Sequence, residues 1–333
     1  MDRLLANDVW NAGVIFDKLR KRGYTGGRSI LRDYIRPKRV MRGVKGTVRF
    51  ESTPGEQLQS DWGQVQTRIA GRSYRVHFMV NLLGYSRRFH VWAGEREDAE
   101  HTYEGLVRAF ERFGGVPAEV WVDNQKAAVL SHGRDGKVVF NPGFLELANH
   151  YGFTPKACRP HRPQTKGKDE RMVGYVKHNF FQHYRAFESL VHLNALLEQW
   201  LAEVADVRVH GTLKEGVAER FERERPHLKA LPPVRFDTSY RLVRRVALDA
   251  FIDVRGNRYS VPAHLVGETV SVRLALDGTL KIFDADDRLV AEHLLRPASS
   301  GWQVVPEHHA RLWQQVKVPP RDLAYYEEAA QCS

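Results

Sequence analysis

The stretch QLQSDWGQVQTRIA, residues 57–70, alternates in polarity with a period of two along much of its length. That period is typical of a β-strand with one buried face. Two more stretches of this kind, residues 73–82 and 87–92, follow after the turn sequences Gly71-Arg72 and Gly84-Tyr85. Short strands that are joined by tight turns predict an antiparallel meander of three strands.

Helices and strands alternate after this meander. A meander followed by alternating helices and strands, in the order βββαβαβα, is the layout of an RNase H-like core. We therefore expect an α/β core in which helices flank a mixed five-stranded sheet. The predicted elements are a helix over 99–113, a strand over 119–122, a helix over 142–151, a strand over 154–158, a helix that contains Glu170 and a helix over 190–204.

Basic helices are predicted ahead of this core. The pattern predicts a helix over 7–21, a turn at 24–27 and a short helix over 29–35 that ends at Pro37. This order is typical of a helix-turn-helix, whose second helix enters the major groove of DNA. An ordinary helical hairpin has the same pattern, but the many bases of residues 20–49 favour DNA binding. We expect DNA contacts from Arg28, Arg32, Arg36, Lys38 and Arg39.

Six short alternating segments between Arg244 and Leu295 predict a small all-β barrel. A proline-containing linker precedes them. The predicted organisation is a helix-turn-helix segment at 1–45, a catalytic core at 50–210, a linker at 211–240, a barrel at 241–297 and a tail at 298–333.

Charge and composition limit the class of protein. The chain of 333 residues has a formal net charge of +11, which favours a polyanionic partner such as DNA. No window holds the ~18 uninterrupted apolar residues of a membrane span, and the N-terminal sequence lacks the features of a secretory signal. Cys158 and Cys332 are too few for a disulfide framework or a metal cluster. We expect a cytoplasmic, nucleoid-associated protein.

Three acidic residues stand where an RNase H-like fold would bring them together. Asp61 lies on the first strand, and strand parity places it opposite Leu58 and Trp62. Asp123 ends the fourth strand, which neighbours the first strand in such a sheet. Glu170 begins the helix beside them, although an acid there also suits the helix dipole without any further role. Clustered carboxylates repel each other, and two Mg²⁺ ions relieve this repulsion and serve phosphoryl transfer.

Basic residues surround Glu170. Lys177 lies two helical turns after Glu170 and shares its face of the helix, while Lys166 and Lys168 flank a glycine. We expect these lysines and Arg171 to contact DNA. A solvated basic face for Lys177, and a flexible basic loop for Lys166 and Lys168, remain open alternatives.

Several motifs together resemble a known family. LQSDWGQ at 58–64, VWVDNQKAAV at 120–129 and CRPHRPQTKGKDERMVGYVK at 158–177 resemble the integrase-core transposases, and most closely the IstA-type transposases of the insertion sequence 21 family. TGGRSILRDYIRPKR at 25–39 resembles the second helix-turn-helix of that family, and FIDVRGNRYSVPAHLVGETV at 251–270 resembles its C-terminal barrel segment.

The resemblance implies a DDE transposase with the triad Asp61, Asp123 and Glu170. In that family Mg²⁺ or Mn²⁺ supports cutting of the 3′ ends of the element, and the new 3′-OH then attacks target DNA. The triad would hold two ions, with Asp61 bridging both. The implied partners are the terminal inverted repeats, target DNA and an IstB-type AAA+ ATPase. A homodimer or tetramer on DNA is expected because two element ends must be joined.

Two alternatives remain open from the sequence. Family members carry another helix-turn-helix ahead of the one found here, so a decayed or N-terminally truncated transposase that only binds DNA is the first alternative. A structure-directed nuclease of the same fold, which would cut DNA without joining it, is the second. An intact triad argues against the first alternative, and the helix-turn-helix and barrel argue against the second.

Overall fold

The computed structural model describes residues 2–7, 9–38, 52–123, 126–132, 138–158, 169–211 and 213–310. The chain divides into two units, Met1–Asp237 and Thr238–Ser333. The first unit contains the N-terminal helices and the mixed sheet, and the second unit is built from strands. Of the helices that the structure describes, none has both the length and the hydrophobicity needed to cross a membrane.

Three helices open the first unit: α1 (Asp2–Ala6), α2 (Ala12–Arg20) and α3 (Arg28–Ile35). The single helix predicted over 7–21 is therefore wrong at its start. The side chain of Asn11 accepts hydrogen bonds from the backbone N–H groups of Gly13 (2.8 Å) and Val14 (3.2 Å), so α2 begins after a cap. The prediction for the short basic helix is confirmed, and one 3-10 turn follows it.

The small core of these helices comes from their apolar faces. It contains the buried side chains of Leu5, Val9, Val14, Ile15, Leu31 and Ile35. The arginines of α3 are exposed.

A mixed sheet forms the centre of the first unit. Its strands run in the order β3-β2-β1-β4-β7, and the short strand β8 pairs with the end of β1. Pairs β1–β2 and β2–β3 are antiparallel, while β1–β4 and β4–β7 are parallel. The predicted RNase H-like α/β fold with a mixed five-stranded sheet is confirmed, with β8 as an addition. The strands are β1 (Gln57–Ile69), β2 (Arg72–Leu83), β3 (Phe89–Gly94), β4 (Glu119–Val122), β7 (Thr154–Ala157) and β8 (Ala186–Phe187).

Helices cover both faces of this sheet. Leu58 and Met79 face a core formed with α4 (Ala99–Phe113) and α5 (Pro142–Tyr151). Phe78 and Val80 face a second core formed with α6 (Asp169–His183) and α7 (Leu190–Trp200), after which a π-helical turn, Leu201–Ala205, follows. Alternation along the strands thus sends neighbouring residues into different cores.

Two elements lie where none was predicted. A hairpin of β5 (Val129–His132) and β6 (Val138–Phe140) follows β4, and helix α8 (Val217–Glu224) lies within the predicted linker. Phe221 is 3% exposed and packs into the core of α4 and α5. The residues after α8 therefore belong to the first unit as far as Asp237.

The second unit surrounds its own core with two sheets. One sheet has the order β14-β13-β12-β9 and the other β10-β11-β15. The predicted all-β character is confirmed. The hydrogen bonds between described strands form two sheets, and no pairing among them closes a single barrel. The strands are β9 (Tyr240–Arg245), β10 (Phe251–Val254), β11 (Asn257–Ser260), β12 (Thr269–Leu274), β13 (Thr279–Phe283), β14 (Leu289–Leu294) and β15 (Trp302–Gln303).

Candidate active site

Asp61 and Asp123 lie side by side on neighbouring strands. β1 and β4 pair in parallel as far as Ser60 and Val122, so the next residue of each strand is one of these two acids. Paired strands lie about 4.8 Å apart, which brings the two backbones within reach of a shared ion. Both acids are partly exposed. The predicted neighbourhood of the first and fourth strands is thus present in the sheet.

Helix α6 packs on the same face of the sheet as these acids. Leu58 and Trp62 point into the core of α4 and α5, as the strand parity predicted, so Asp61 belongs to the opposite face. A Cβ atom at Gly63 would lie only 2.6 Å from a methyl group of Val173 in α6. A glycine at this position is what allows α6 to approach β1 two residues beyond Asp61.

Glu170 belongs to the first turn of this helix. It precedes Val173 by three residues, and residues three apart in a helix share a face. The side chains of residues 169–171, and hence those of Glu170 and Arg171, lie outside the described set. The described side chains contain no group of three or more His, Cys, Asp or Glu residues arranged to hold a metal ion.

Local hydrogen bonds and packing fix the surroundings of Asp61. One carboxylate oxygen of Asp61 accepts a hydrogen bond from the backbone N–H of Trp62 at 3.0 Å. The indole N–H of Trp62 donates to the hydroxyl of Thr102 at 3.3 Å. These contacts hold the strand at the position where the first acid leaves it.

Two residues beside the acids were not predicted as part of the site. Lys156 pairs in register with Trp121, and its amine lies 3.5 Å from a carboxylate oxygen of Glu119. Cys158 donates its backbone N–H to the carbonyl of Val122 at 3.0 Å and lies beside Asp123. The signal for both was their place at the end of β7, which pairs with β4.

The predicted basic residues fall into different surroundings. Lys177 lies on α6 and lines a groove together with Arg68 and Arg185. Lys166, Lys168 and Arg39 lie outside the described residues.

On α3 and the turn after it, Arg28, Arg32 and Arg36 are exposed. Lys38 instead forms an ion pair with Asp2 at 2.7 Å and contacts the hydroxyl of Tyr34. The hydrogen bond to Asp2 raises the pKa of Lys38. The sequence did not reveal this pair because its members are 36 residues apart.

Comparisons with known proteins identify the family. Two integrase core domain models match residues 51–163 and 151–217, and a model of the C-terminal domain of Mu transposase matches residues 231–305. The transposase for insertion sequence element IS21 of Pseudomonas aeruginosa is 58% identical over 329 residues, which cover 98% of this chain and 84% of that protein. The chain belongs to the IS21 family of transposases.

A second relative supports the same assignment. The transposase for insertion sequence element IS640 of Shigella sonnei is 59% identical over 220 residues, which cover 66% of this chain and 70% of that protein. The predictions of a transposase, of an integrase core and of a function in DNA transposition are confirmed. A protein that only binds DNA is not favoured.

Among solved structures, the catalytic core domain of HTLV-2 integrase in complex with magnesium is similar to 52% of this chain and 99% of its own, with 17% identity and a TM-score of 0.37. The transposase acts on DNA as its relatives do.

Proposed function

We propose that Asp61, Asp123 and Glu170 form the catalytic, metal-holding triad of this transposase. The observation that carries the proposal is the parallel register of β1 and β4, which puts Asp61 beside Asp123 on the face against which α6 packs. Glu170 lies in the first turn of α6, about one helical turn before Val173, which lies against β1 at Gly63.

The donor chemistry fits Mg²⁺ or Mn²⁺. Aspartate and glutamate offer only oxygen donors, which these hard cations prefer. Two partly exposed carboxylates on adjacent strands would repel each other in the absence of positive charge. When bound, two such ions stabilise the charge that develops on the attacking and leaving oxygens of a phosphoryl transfer. Asp61 is proposed to bridge both ions, while Asp123 and Glu170 would each hold one.

The residues of the chain then have separate tasks in cutting the 3′ ends and joining them to target DNA. Trp62 keeps one oxygen of Asp61 oriented through its backbone N–H. Lys177 lies two helical turns after Glu170 on α6 and contacts a phosphate of the bound strand. Lys166, Lys168 and Arg171 are proposed to contact the same DNA.

The helix-turn-helix segment is proposed to recognise the element ends. Arg28, Arg32 and Arg36 project from α3 and the turn that follows it, and they are exposed. A basic helix of this kind reads base edges and contacts phosphates. Lys38 and Arg39 extend this basic surface, and DNA would have to compete with Asp2 for Lys38.

Assembly and cellular setting are also part of the proposal. Two element ends must meet at one target, so we infer a homodimer or tetramer on DNA. An IstB-type AAA+ ATPase is the proposed helper in target selection. The protein is proposed to act in the cytoplasm on the nucleoid, with functional segments at 1–45, 50–210, 241–297 and 298–333 and a connection at 211–240.

The substitution Asp61→Asn tests the triad. We expect it to abolish 3′-end cutting and strand transfer in Mg²⁺, because an amide is a poor ligand for two cations, while binding to terminal-repeat DNA stays within a few-fold of the wild type. Gel assays with labelled ends measure both activities. The matched control is Glu95→Gln, which neutralises an exposed acid just after β3 and should retain activity. Wild-type activity in Asp61→Asn would refute the triad.

A further inference from the structure

A groove runs along β1 and α6 at a distance from the candidate active site. Its volume is about 770 Å³. Residues 64–68 and Ser73 line one side. Residues of α6, together with Arg185 and Ala186, line the other.

Each wall of this groove belongs to an element that also carries one of the candidate catalytic acids. Gln64 follows Asp61 by three residues on β1, and Lys177 follows Glu170 by seven residues on α6. A strand rises about 3.3 Å per residue and a helix 1.5 Å. Along either wall, the groove therefore begins about 10 Å from the acids.

The far end of the groove meets the N-terminal helices. Arg185 donates a hydrogen bond to the carbonyl of Asn7 at 2.6 Å. The side-chain carbonyl of Gln182 accepts hydrogen bonds from the backbone N–H groups of Trp10 and Asn11, both at 3.1 Å. The side chain of Asn11 also donates to Asn179 of α6 at 2.8 Å. The groove thus runs from the middle of α6 to the segment that carries α2 and α3.

The lining of the groove is cationic and polar. Arg68, Lys177 and Arg185 provide positive charge, and the other polar residues are Gln64, Gln66, Thr67, Ser73, His178 and Gln182. None of the described residues that line it is acidic. Guanidinium, ammonium, amide and hydroxyl groups are the groups that contact phosphate and sugar in protein–DNA complexes.

We propose that this groove binds the phosphodiester backbone of one DNA strand between the helix-turn-helix and the triad, with Arg68 and Arg185 as phosphate contacts. The proposal rests on the proposed function, because the strand in the groove is the one that leads to Asp61. A protein segment that pairs with β1 would be a different occupant. The positive charge of Arg68, Lys177 and Arg185 and the continuity of both walls with the candidate acids favour DNA.

The substitution Arg68→Ala in the full chain tests the groove. A duplex that ends in the terminal repeat is titrated by fluorescence anisotropy in EDTA at several salt concentrations. The affinity falls as salt rises, so this slope is negative. Loss of one phosphate contact should reduce the magnitude of the slope of log affinity against log salt concentration by about 0.9 and weaken binding several-fold. The double variant Arg68→Ala/Lys177→Ala should reduce the magnitude of the slope, relative to the wild type, by about twice that amount. Thermal melts verify that the variants are folded.

The matched control is Arg225→Ala, which removes the same charge from a side chain that is 63% exposed and does not line the groove. Its slope should equal that of the wild type. An unchanged slope for Arg68→Ala would overturn the proposal. If Arg68→Ala also lost binding of the helper ATPase while its DNA slope stayed unchanged, the groove would be assigned to a protein segment and the proposal would be overturned.

Because the measurement requires no cutting, it separates the two proposals. It is repeated with Arg68→Ala in the Asp61→Asn chain. Normal cutting by Arg68→Ala with an unchanged slope refutes the groove and leaves the triad intact. A lowered slope for Arg68→Ala, together with wild-type cutting by Asp61→Asn, refutes the triad and supports the groove.

Discussion

Two pairs of acidic side chains in the first unit lie in different surroundings: one pair is buried, and the other pair is partly exposed. Glu224 is fully buried and accepts the backbone N–H groups of Gly55 (3.2 Å) and Ser86 (3.0 Å). Asp206 is 8% exposed and forms ion pairs with Arg88 and Arg112. The hydrogen bonds and ion pairs of these acids hold distant segments together, although one carboxylate oxygen of Asp206 is buried without a hydrogen-bond partner among the described residues.

The acids of the candidate active site are built differently. Asp61 and Asp123 are partly exposed, and they follow the last paired residues of two neighbouring strands. Like charges on neighbouring strands repel each other, which fits the cation site proposed for them. The difference teaches that a buried acid with donors stabilises the fold, whereas adjacent accessible acids suit the role that is proposed for them in catalysis.

The largest expected effect on stability comes from Glu224→Ala. It leaves two buried backbone N–H groups without an acceptor, at about 1–3 kcal/mol each, so the free energy of unfolding should fall by roughly 2–6 kcal/mol. Urea denaturation measures this change. Asp123→Asn is the comparison variant, and its unfolding free energy should equal or exceed that of the wild type. Equal losses in the two variants would remove the distinction between the two kinds of acid.

The second effect concerns the packing that brings α6 to the acids. In Gly63→Ala the added methyl group would meet Phe78 at 2.5 Å and Val173 at 2.6 Å. Overpacking of this kind costs about 1–3 kcal/mol, and movement of α6 should lower the cutting rate more than DNA binding. Gly71→Ala is a control for adding a methyl group where no atom lies within 4 Å, although the positive φ of Gly71 adds backbone strain. A fully active Gly63→Ala would show that the triad does not depend on this contact.

The smallest expected effect is a pH dependence of stability from His90. Burial lowers the pKa of His90, while the hydrogen bond to Glu198 raises it in part. The folded state therefore keeps His90 neutral when the unfolded state, with an ordinary pKa of 6.5, begins to bind a proton. Stability should fall as pH drops below about 6.5, by at most about 1.4 kcal/mol per pH unit.

Thermal melts between neutral pH and about pH 5.5 measure this dependence in the wild type and in His90→Gln. The variant should have a shallower slope, and the difference between the two slopes isolates His90 from the other histidines. Identical slopes would show that His90 is not responsible.

Several elements were predictable from local sequence. The helix over 99–113, the strand over 119–122 and the helix over 142–151 were predicted with the bounds that the structure has. Local signals define them: Asp98 caps α4 by accepting from the backbone of His101, and Gly114 ends it in the left-handed region.

Other elements were missed because long-range contacts stabilise them. Helix α8 lies in a segment rich in charge, and it is held by the burial of Phe221 and Glu224 against the core. The break before α2 depends on Asn11, which also contacts α6 more than 160 residues away. The ion pair of Lys38 with Asp2 joins residues 36 positions apart, and no local pattern predicted it.

By itself, the sequence determined the class of fold, the alternation of strands and helices, and the acids that chemistry would select, because periodicity and residue type are local properties. Only the tertiary structure decided the register that aligns Asp61 with Asp123, the approach of α6 at Gly63, and the groove that Arg68 and Arg185 share. The physical reason is that strand order and helix packing join residues far apart in the chain, and burial makes these contacts strong enough to persist.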